Sequence, residues 1–172
     1  KVITQFKKQF PKVHLKLHQG SPKEIAKMLL EGEADIGLAT ETLSEMEDLV
    51  TFGLYHWHHA VVVPTGHPLA RVEHLSLEAI AEFPIITYRE GVTGRARIEQ
   101  TCKSAGVAPD IVMSALDSDV IKSYVELGLG IGVIASVAFS PERDTDLSLL
   151  NGDHLFPLNE TKLAIRKGHL LR

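Results

Sequence analysis

The sequence predicts an α/β fold built from two successive β-α units. Three observations carry this: a hydrophobic period that switches repeatedly between helix and strand, capping residues at the switches, and a long non-helical stretch between residues 49 and 63 that separates the two units. At 172 residues, 44% hydrophobic and 23% charged, the chain is large enough to bury one ordinary core or two small ones.

Val2, Ile3, Phe6 and Phe10 recur at helical spacing, and Pro11 closes that helix. Val13, Leu15 and Leu17 then alternate with His14, Lys16 and His18, the pattern of a half-buried strand. Ser21-x-x-Glu24 forms a capping box with Pro22 at the first helical position, so a helix runs from there to about Glu31, where Gly32 ends it. Asp35 to Thr40 is the next strand, and strand-helix-strand predicts a parallel pair with a right-handed crossover. After an acidic loop, Glu41 to Asp48, come extended segments at Leu49 to Trp57 and Ala60 to Val63 and a turn at Pro64-Thr65-Gly66-His67-Pro68. The alternation resumes with helix 76–82, strand 84–88, helix 94–105, strand 110–115, helix 118–127 and strand 131–135. Leu147 to Leu150 and Leu155 to Leu158 read as short extended pieces, and Lys162 to Arg166 as a last strand. The chain opens on Lys1 inside a helical pattern and stops without a cap, so it reads as a piece of a longer protein.

Several function classes are excluded or disfavoured. The net charge of −4 and a pI near 6.1 leave no basic face for nucleic acid. The longest apolar runs, 60–63 and 131–137, fall far short of the roughly 20 residues that span a bilayer. Cys102 is the only cysteine, which fits a reducing compartment, and a cytoplasmic location is expected. Gly128, Gly130 and Gly132 end a helix and enter a strand, the reverse of a dinucleotide fingerprint, so no cofactor is expected. There is no GxSxG elbow, and Cys102 sits mid-helix as a packed thiol, so no catalytic residue is assigned and the chain reads as a non-enzyme. In "YHWHH" His56 and His58 share one face, but no Cys, Asp or Glu is spaced to complete a tetrahedron, and no metal is expected. Trp57 on the opposite face is expected to pack between the two halves and donate its indole N–H across the cleft.

Two stretches suit an anion. In "REGVTGRARIEQ" a strand ends, Gly91 loosens the turn, and Thr93-Gly94-Arg95 begins a helix. Free N–H groups and the positive end of the helix dipole, with Thr93 at the N-cap, suit an oxyanion; they equally suit a plain helix cap, and spacing leaves both open. The lysine and spacing of a P-loop are missing. Thr40 lies at the carboxyl end of a strand, where ligands of open α/β sheets sit, although Thr42-x-x-Glu45 could instead be a capping box within a solvated acidic face.

The strings "HLKLHQGSPKEIAKMLLEGEADIGLATE", "YHWHHAVVVPTGHPLA", "VTGR" and "DSDVIKSYVELGLGIGVIAS" together resemble the effector-binding domain of LysR-type transcriptional regulators, over essentially the whole chain. HQGSP, YHW, TGR and DSDVIK point to the branch that governs sulfur assimilation and cysteine biosynthesis, whereas GEADIG and GLGIGVI are general to the family. The resemblance implies two Rossmann-like lobes joined by two crossover strands, as in type 2 periplasmic binding proteins. Lobe I would hold residues 1–54 plus 158–172 and lobe II residues 55–157, with the first strand and a winged helix-turn-helix DNA-binding domain lying before Lys1. It implies an effector or anion site of Thr40, Trp57, Thr93, Gly94 and Arg95, the last two through backbone N–H groups. The implied effectors are N-acetylserine, O-acetylserine, sulfate or thiosulfate. It also implies a homodimer or tetramer in which helix 2–10 of one subunit meets the helix near 119–127 of another. Val120, Ile121, Tyr124 and Val125 are shared between that contact and the core. Promoter DNA would be reached only through the absent N-terminal domain, and no membrane is involved. Arg89-Glu90 and Leu116 depart from the family's usual residues, which bears on effector preference. The rival reading is a solute-binding protein of a sulfate or amino-acid importer, which shares the two-lobe cleft.

Overall fold

Ser21 opens the first helix that packs on a sheet, and it does so reciprocally. Its Oγ accepts the N–H of Glu24 at 3.4 Å, while the Glu24 carboxylate accepts the N–H of Ser21 at 2.7 Å. The resulting helix, α2 (Pro22–Glu31), ends at Gly32, whose φ of 76° is a left-handed cap. This is a computed structural model, and it describes residues 2–92 and 94–168, with the backbone alone at Glu41 and Thr42. Before α2 stands α1 (Val2–Gln9), which buries no residue.

The first sheet is small. β1 (Gly37–Ala39), β2 (Leu49–Trp57) and β8 (Asn159–Arg166) lie in the order β1-β8-β2, every pair antiparallel. α2 covers it, burying Ala26 and Leu29 against Leu43, Leu49 and Ala164. A side chain at Gly37 would meet Ile25 at 2.7 Å and Leu29 at 2.8 Å, so glycine there sets the closeness of helix and strand.

Two expectations fail in this sheet. Val13, Leu15 and Leu17 form no strand: the segment is irregular and exposed, Leu17 by 74%. Alternation supplies the right faces, but a strand exists only where another backbone completes its ladder, and none among the described residues pairs here. The parallel β-α-β pair is therefore not formed, and β1 pairs instead with β8 from the far end of the chain.

The second sheet carries the parallel core that the β-α alternation predicts. β3 (His59–Pro64), β4 (Ile85–Tyr88), β5 (Ile111–Ala115), β6 (Ile131–Ala135) and β7 (Leu147–Leu150) lie in the order β5-β4-β6-β3-β7. β4 is parallel to both β5 and β6, whereas β3 is antiparallel to β6 and β7. Helices cover both faces. α5 (Ser118–Glu126) buries Ile121 and Val125 against Val62, Ile86 and Ile134. On the other face α3 (Leu77–Ala81) and α4 (Arg95–Ser104) press Ile80, Ile98 and Cys102 onto Val61, Val63, Ile85 and Val133. Burial on both faces is why "AVVV" is an unbroken apolar run rather than an alternating one.

Leu155 to Leu158 is the other correction. It lies in a turn and irregular segment, with the N–H groups of Leu155 and Phe156 both donating to Gly152 O. β8 starts earlier than expected, at Asn159, because β2 runs on to Trp57 and offers Asn159 a partner. The chain thus leaves the first sheet between Trp57 and His59 and returns to it just before Asn159.

One buried ion pair ties α5 to the segment that follows β6. Lys122 Nζ donates to both carboxylate oxygens of Asp144 at 3.0 Å, to Ala138 O at 3.0 Å and to Asp119 at 2.9 Å. Lys122 and Asp144 are both buried, so removing one charge strands the other. Lys122→Met is expected to cost about 3 kcal/mol in urea unfolding; a loss below about 1 kcal/mol would mean that Asp144 finds water or another partner once the ammonium is gone.

Candidate functional site

The site grows from the point where the chain changes sheets. Trp57 ends β2, buried, and its indole Nε1 donates to Thr161 Oγ1 at 3.0 Å. That bond runs to the neighbouring strand of the same sheet, not across a cleft: the β2 ladder that pairs Trp57 with Asn159 and Tyr55 with Thr161 puts the hydroxyl within the indole's reach. On the other side of β8, Ala39 pairs with Lys162, and Thr40 is the next residue along the chain.

Thr40 is 7% exposed at the carboxyl end of β1. It is also the N-cap of the short 3-10 helix Glu41–Glu45, and its side chain makes no capping hydrogen bond. The cap is Thr40, and the alternative capping box from Thr42 to Glu45 rests on a side chain outside those described.

Immediately past Trp57 lies a residue the sequence reading passed over. His59 begins β3 and is 0% exposed. Its ring is held edge-on by Trp57, Phe156 and Tyr88, at centroid distances of 5.0, 5.6 and 6.5 Å. Its Nδ1 faces the Asn159 side-chain nitrogen at 3.5 Å, and its Nε2 is buried with no hydrogen-bond partner among the described residues. Burial, reinforced by the charge of Arg97 and by His58, pushes its pKa down to about 4. The available signal was a histidine heading an otherwise wholly apolar buried strand, "HAVVVP".

Gly94 closes over that ring. A Cβ at Gly94 would collide with His59 Nε2, and its φ of 86° is left-handed, so both space and backbone require glycine. Gly94, not Thr93, is the N-cap of α4, which corrects the expected capping role of the Thr93 hydroxyl; Thr93 itself lies outside the described residues. The Arg95 side chain is turned inward, donating to Tyr88 O at 2.8 Å and to Glu99 at 2.7 Å, and its backbone N–H reaches Val92 O at 3.3 Å. Its guanidinium thus braces β4 and α4. Arg97 in the same turn donates to Leu158 O at 2.9 Å, across to the segment that precedes β8.

The first turn of α4 therefore carries two arginines and no acidic residue, where the helix dipole already presents its positive end. Trp57, His59 and Gly94 are brought into one contiguous group, and Arg95 contributes charge and bracing through Tyr88 and Glu99; Thr40 lies at the end of β1, two strands from Trp57 in the first sheet. The other two histidines of the motif point elsewhere: His56 toward Glu160 at 3.9 Å, and His58 Nδ1 to Phe156 O at 3.0 Å.

The LysR substrate binding domain model matches residues 1–172. The chain belongs to that family. Among curated relatives it is 57% identical to the transcriptional regulator SsuR of Burkholderia cenocepacia over 172 residues, covering 100% of this chain and 56% of that protein. It is 47% identical to CysB of the same organism over 170 residues, covering 99% and 54%, and 48% identical to Cbl of Escherichia coli over 171 residues, covering 99% and 54%. The chain spans about half the length of these relatives. Among solved structures, the cofactor-binding domain of the Cbl transcriptional regulator superposes with a TM-score of 0.91 at 48% identity, covering 99% of this chain and 75% of that one. This LysR domain accordingly has the two-lobed, type 2 periplasmic-binding-protein-like fold and groups with the SsuR, CysB and Cbl regulators. The family is one of transcriptional regulators, not enzymes.

The low pKa of His59 has a consequence for stability. The folded state holds the imidazole neutral down to about pH 4, whereas the unfolded chain takes up a proton near pH 6.5. Stability is therefore full above pH 6.5 and falls by about 3 kcal/mol as pH drops toward 4, a loss that His59→Phe should abolish in urea titrations across that range. Gly94→Ala should lower stability by about 2 kcal/mol, from the left-handed backbone and the collision with His59, readable as a drop in Tm.

Proposed function

We propose that this LysR domain is the sensing half of a transcriptional regulator of sulfur assimilation and cysteine biosynthesis, binding N-acetylserine, O-acetylserine, or sulfate-like anions such as thiosulfate between its lobes. The lobes on this reading are residues 1–54 plus 158–172 and residues 55–157. The observation that carries it is the head of α4: a first turn with two arginines and no acid, left-handed at Gly94, standing against His59, which is itself packed on Trp57 where the chain passes between the sheets. An anion there would be held by neutral donors, the Thr93 hydroxyl and the first-turn backbone N–H groups, with Thr40 from the facing lobe. Neutral donors bind an anion without the full ion-pair energy that would keep it from leaving.

Effector binding would favour one of two lobe arrangements and so change how a dimer or tetramer presents its DNA-binding domains to a promoter. α1, with no buried residue, and Val120, which stays partly exposed while Ile121 and Val125 are buried in the core, supply apolar surface for such an assembly. The names of the relatives support a regulator working in the cytoplasm over the importer reading.

Calorimetric titration with N-acetylserine, O-acetylserine, sulfate and thiosulfate tests the site. Wild type should bind at least one of them saturably, and Thr93→Val should weaken that binding about tenfold, the effect of losing one hydrogen bond to a charged oxygen. Equal binding by the variant would return Thr93 to a structural role, and binding of none would remove the reading altogether.

A further inference from the structure

The orientation of Asn159 sets the protonation of His59. The Asn159 amide nitrogen lies 3.1 Å from Pro157 O and 3.5 Å from Trp57 O, so it is the NH2 that faces these carbonyls, and it is the same nitrogen that faces His59 Nδ1 at 3.5 Å. A donor facing Nδ1 requires Nδ1 to be the acceptor. The single proton of the neutral ring then sits on Nε2, which is wholly buried and has no acceptor among the described residues. Such an orphan donor is unfavourable where it stands. It is aimed at Gly94, the N-cap of α4, a ten-residue helix whose first turn carries Arg95 and Arg97 and no acid.

We propose that His59 is an effector-reading residue, its Nε2–H donating to an oxygen of the anion bound at the head of α4 once the Gly94 turn moves off the ring. This rests on the anion site argued above. Gly94 sits at left-handed φ, 86°, and puts no side chain over the nitrogen, so only backbone has to be displaced for the ring to meet a ligand. The three aromatic neighbours hold the ring plane, so the N–H direction is preset and the ligand need not order it. The ligand class follows from the donor: a small anion presenting an unsubstituted acceptor oxygen, such as sulfate or the carboxylate of an acetylated serine. A cation or a ligand with only donors would leave Nε2–H unpaired.

The test uses the chain with 15N-labelled histidine and two probes, sulfate and N-acetylserine. Long-range 1H–15N spectra should show the buried Nε2–H moving downfield at saturation with a probe that binds, while Nδ1 stays unprotonated. In calorimetry His59→Phe, which keeps the ring packing and removes the donor, should bind that probe at least about tenfold more weakly, and His59→Gln, which restores an N–H, should recover part of the loss. An unmoved Nε2–H signal in wild type that binds the probe would overturn the role of His59 and leave the anion site standing, and so would undiminished binding by His59→Phe. If wild type binds neither probe by either method, the anion site itself is wrong and this inference falls with it. Should His59→Phe fail to fold, the wild-type spectrum alone decides.

Discussion

The pairing of β2 with β8 is the constraint from which the rest of the structure hangs. From Leu49 opposite Arg166 to Trp57 opposite Asn159, two long antiparallel strands lie side by side. At that far end both chains pass from one sheet to the other. Backbone hydrogen bonds forbid either strand from sliding without the other, so the positions of Trp57, His59 and Asn159 are coupled. The site lies at this crossing because side chains anchored there touch both sheets.

The electrostatics at the crossing are arranged in an unusual order. Charge is present but already engaged: Arg95 on Tyr88 O and Glu99, Arg97 on Leu158 O. What faces the junction is neutral and polar, namely the indole of Trp57, the Thr161 hydroxyl that accepts from it, and an imidazole that burial keeps unprotonated. Engaged cations behind neutral donors raise the local potential for an anion while avoiding a direct ion pair, whose desolvation and release would both be expensive.

Much of the second sheet was legible because its signals are local. Caps such as Asp117, which accepts the N–H of Val120 at 3.0 Å, and apolar runs such as "AVVV" report helix starts and buried strands through chemistry within a few residues. The misreadings share one cause. Val13 to Leu17 has the alternation of a strand without a ladder, and Leu155 to Leu158 is apolar because Leu155 and Phe156 pack into the core from a turn. Neither fact is written in the local period, since a strand is a relation between two segments. The candidate site divides the same way: Thr40, Trp57 and Gly94 are singled out by motif and resemblance, whereas the burial of His59 is not legible beside the more conspicuous His56 and His58.

By itself the sequence determined the local matters, where helices begin and which runs are buried, both of which depend on side chains within a turn or two of one another. Tertiary structure alone decided that β8, not a strand near residue 15, completes the first sheet, that Arg95 braces β4 rather than reaching outward, and that the Trp57 indole donates to Thr161 of its own sheet. It also decided that one histidine of "YHWHH" would be sealed under Gly94, its Nε2 without a hydrogen-bond partner among the described residues. Each of these depends on contacts between residues tens of positions apart, and the chain acquires them only when its ends are brought together.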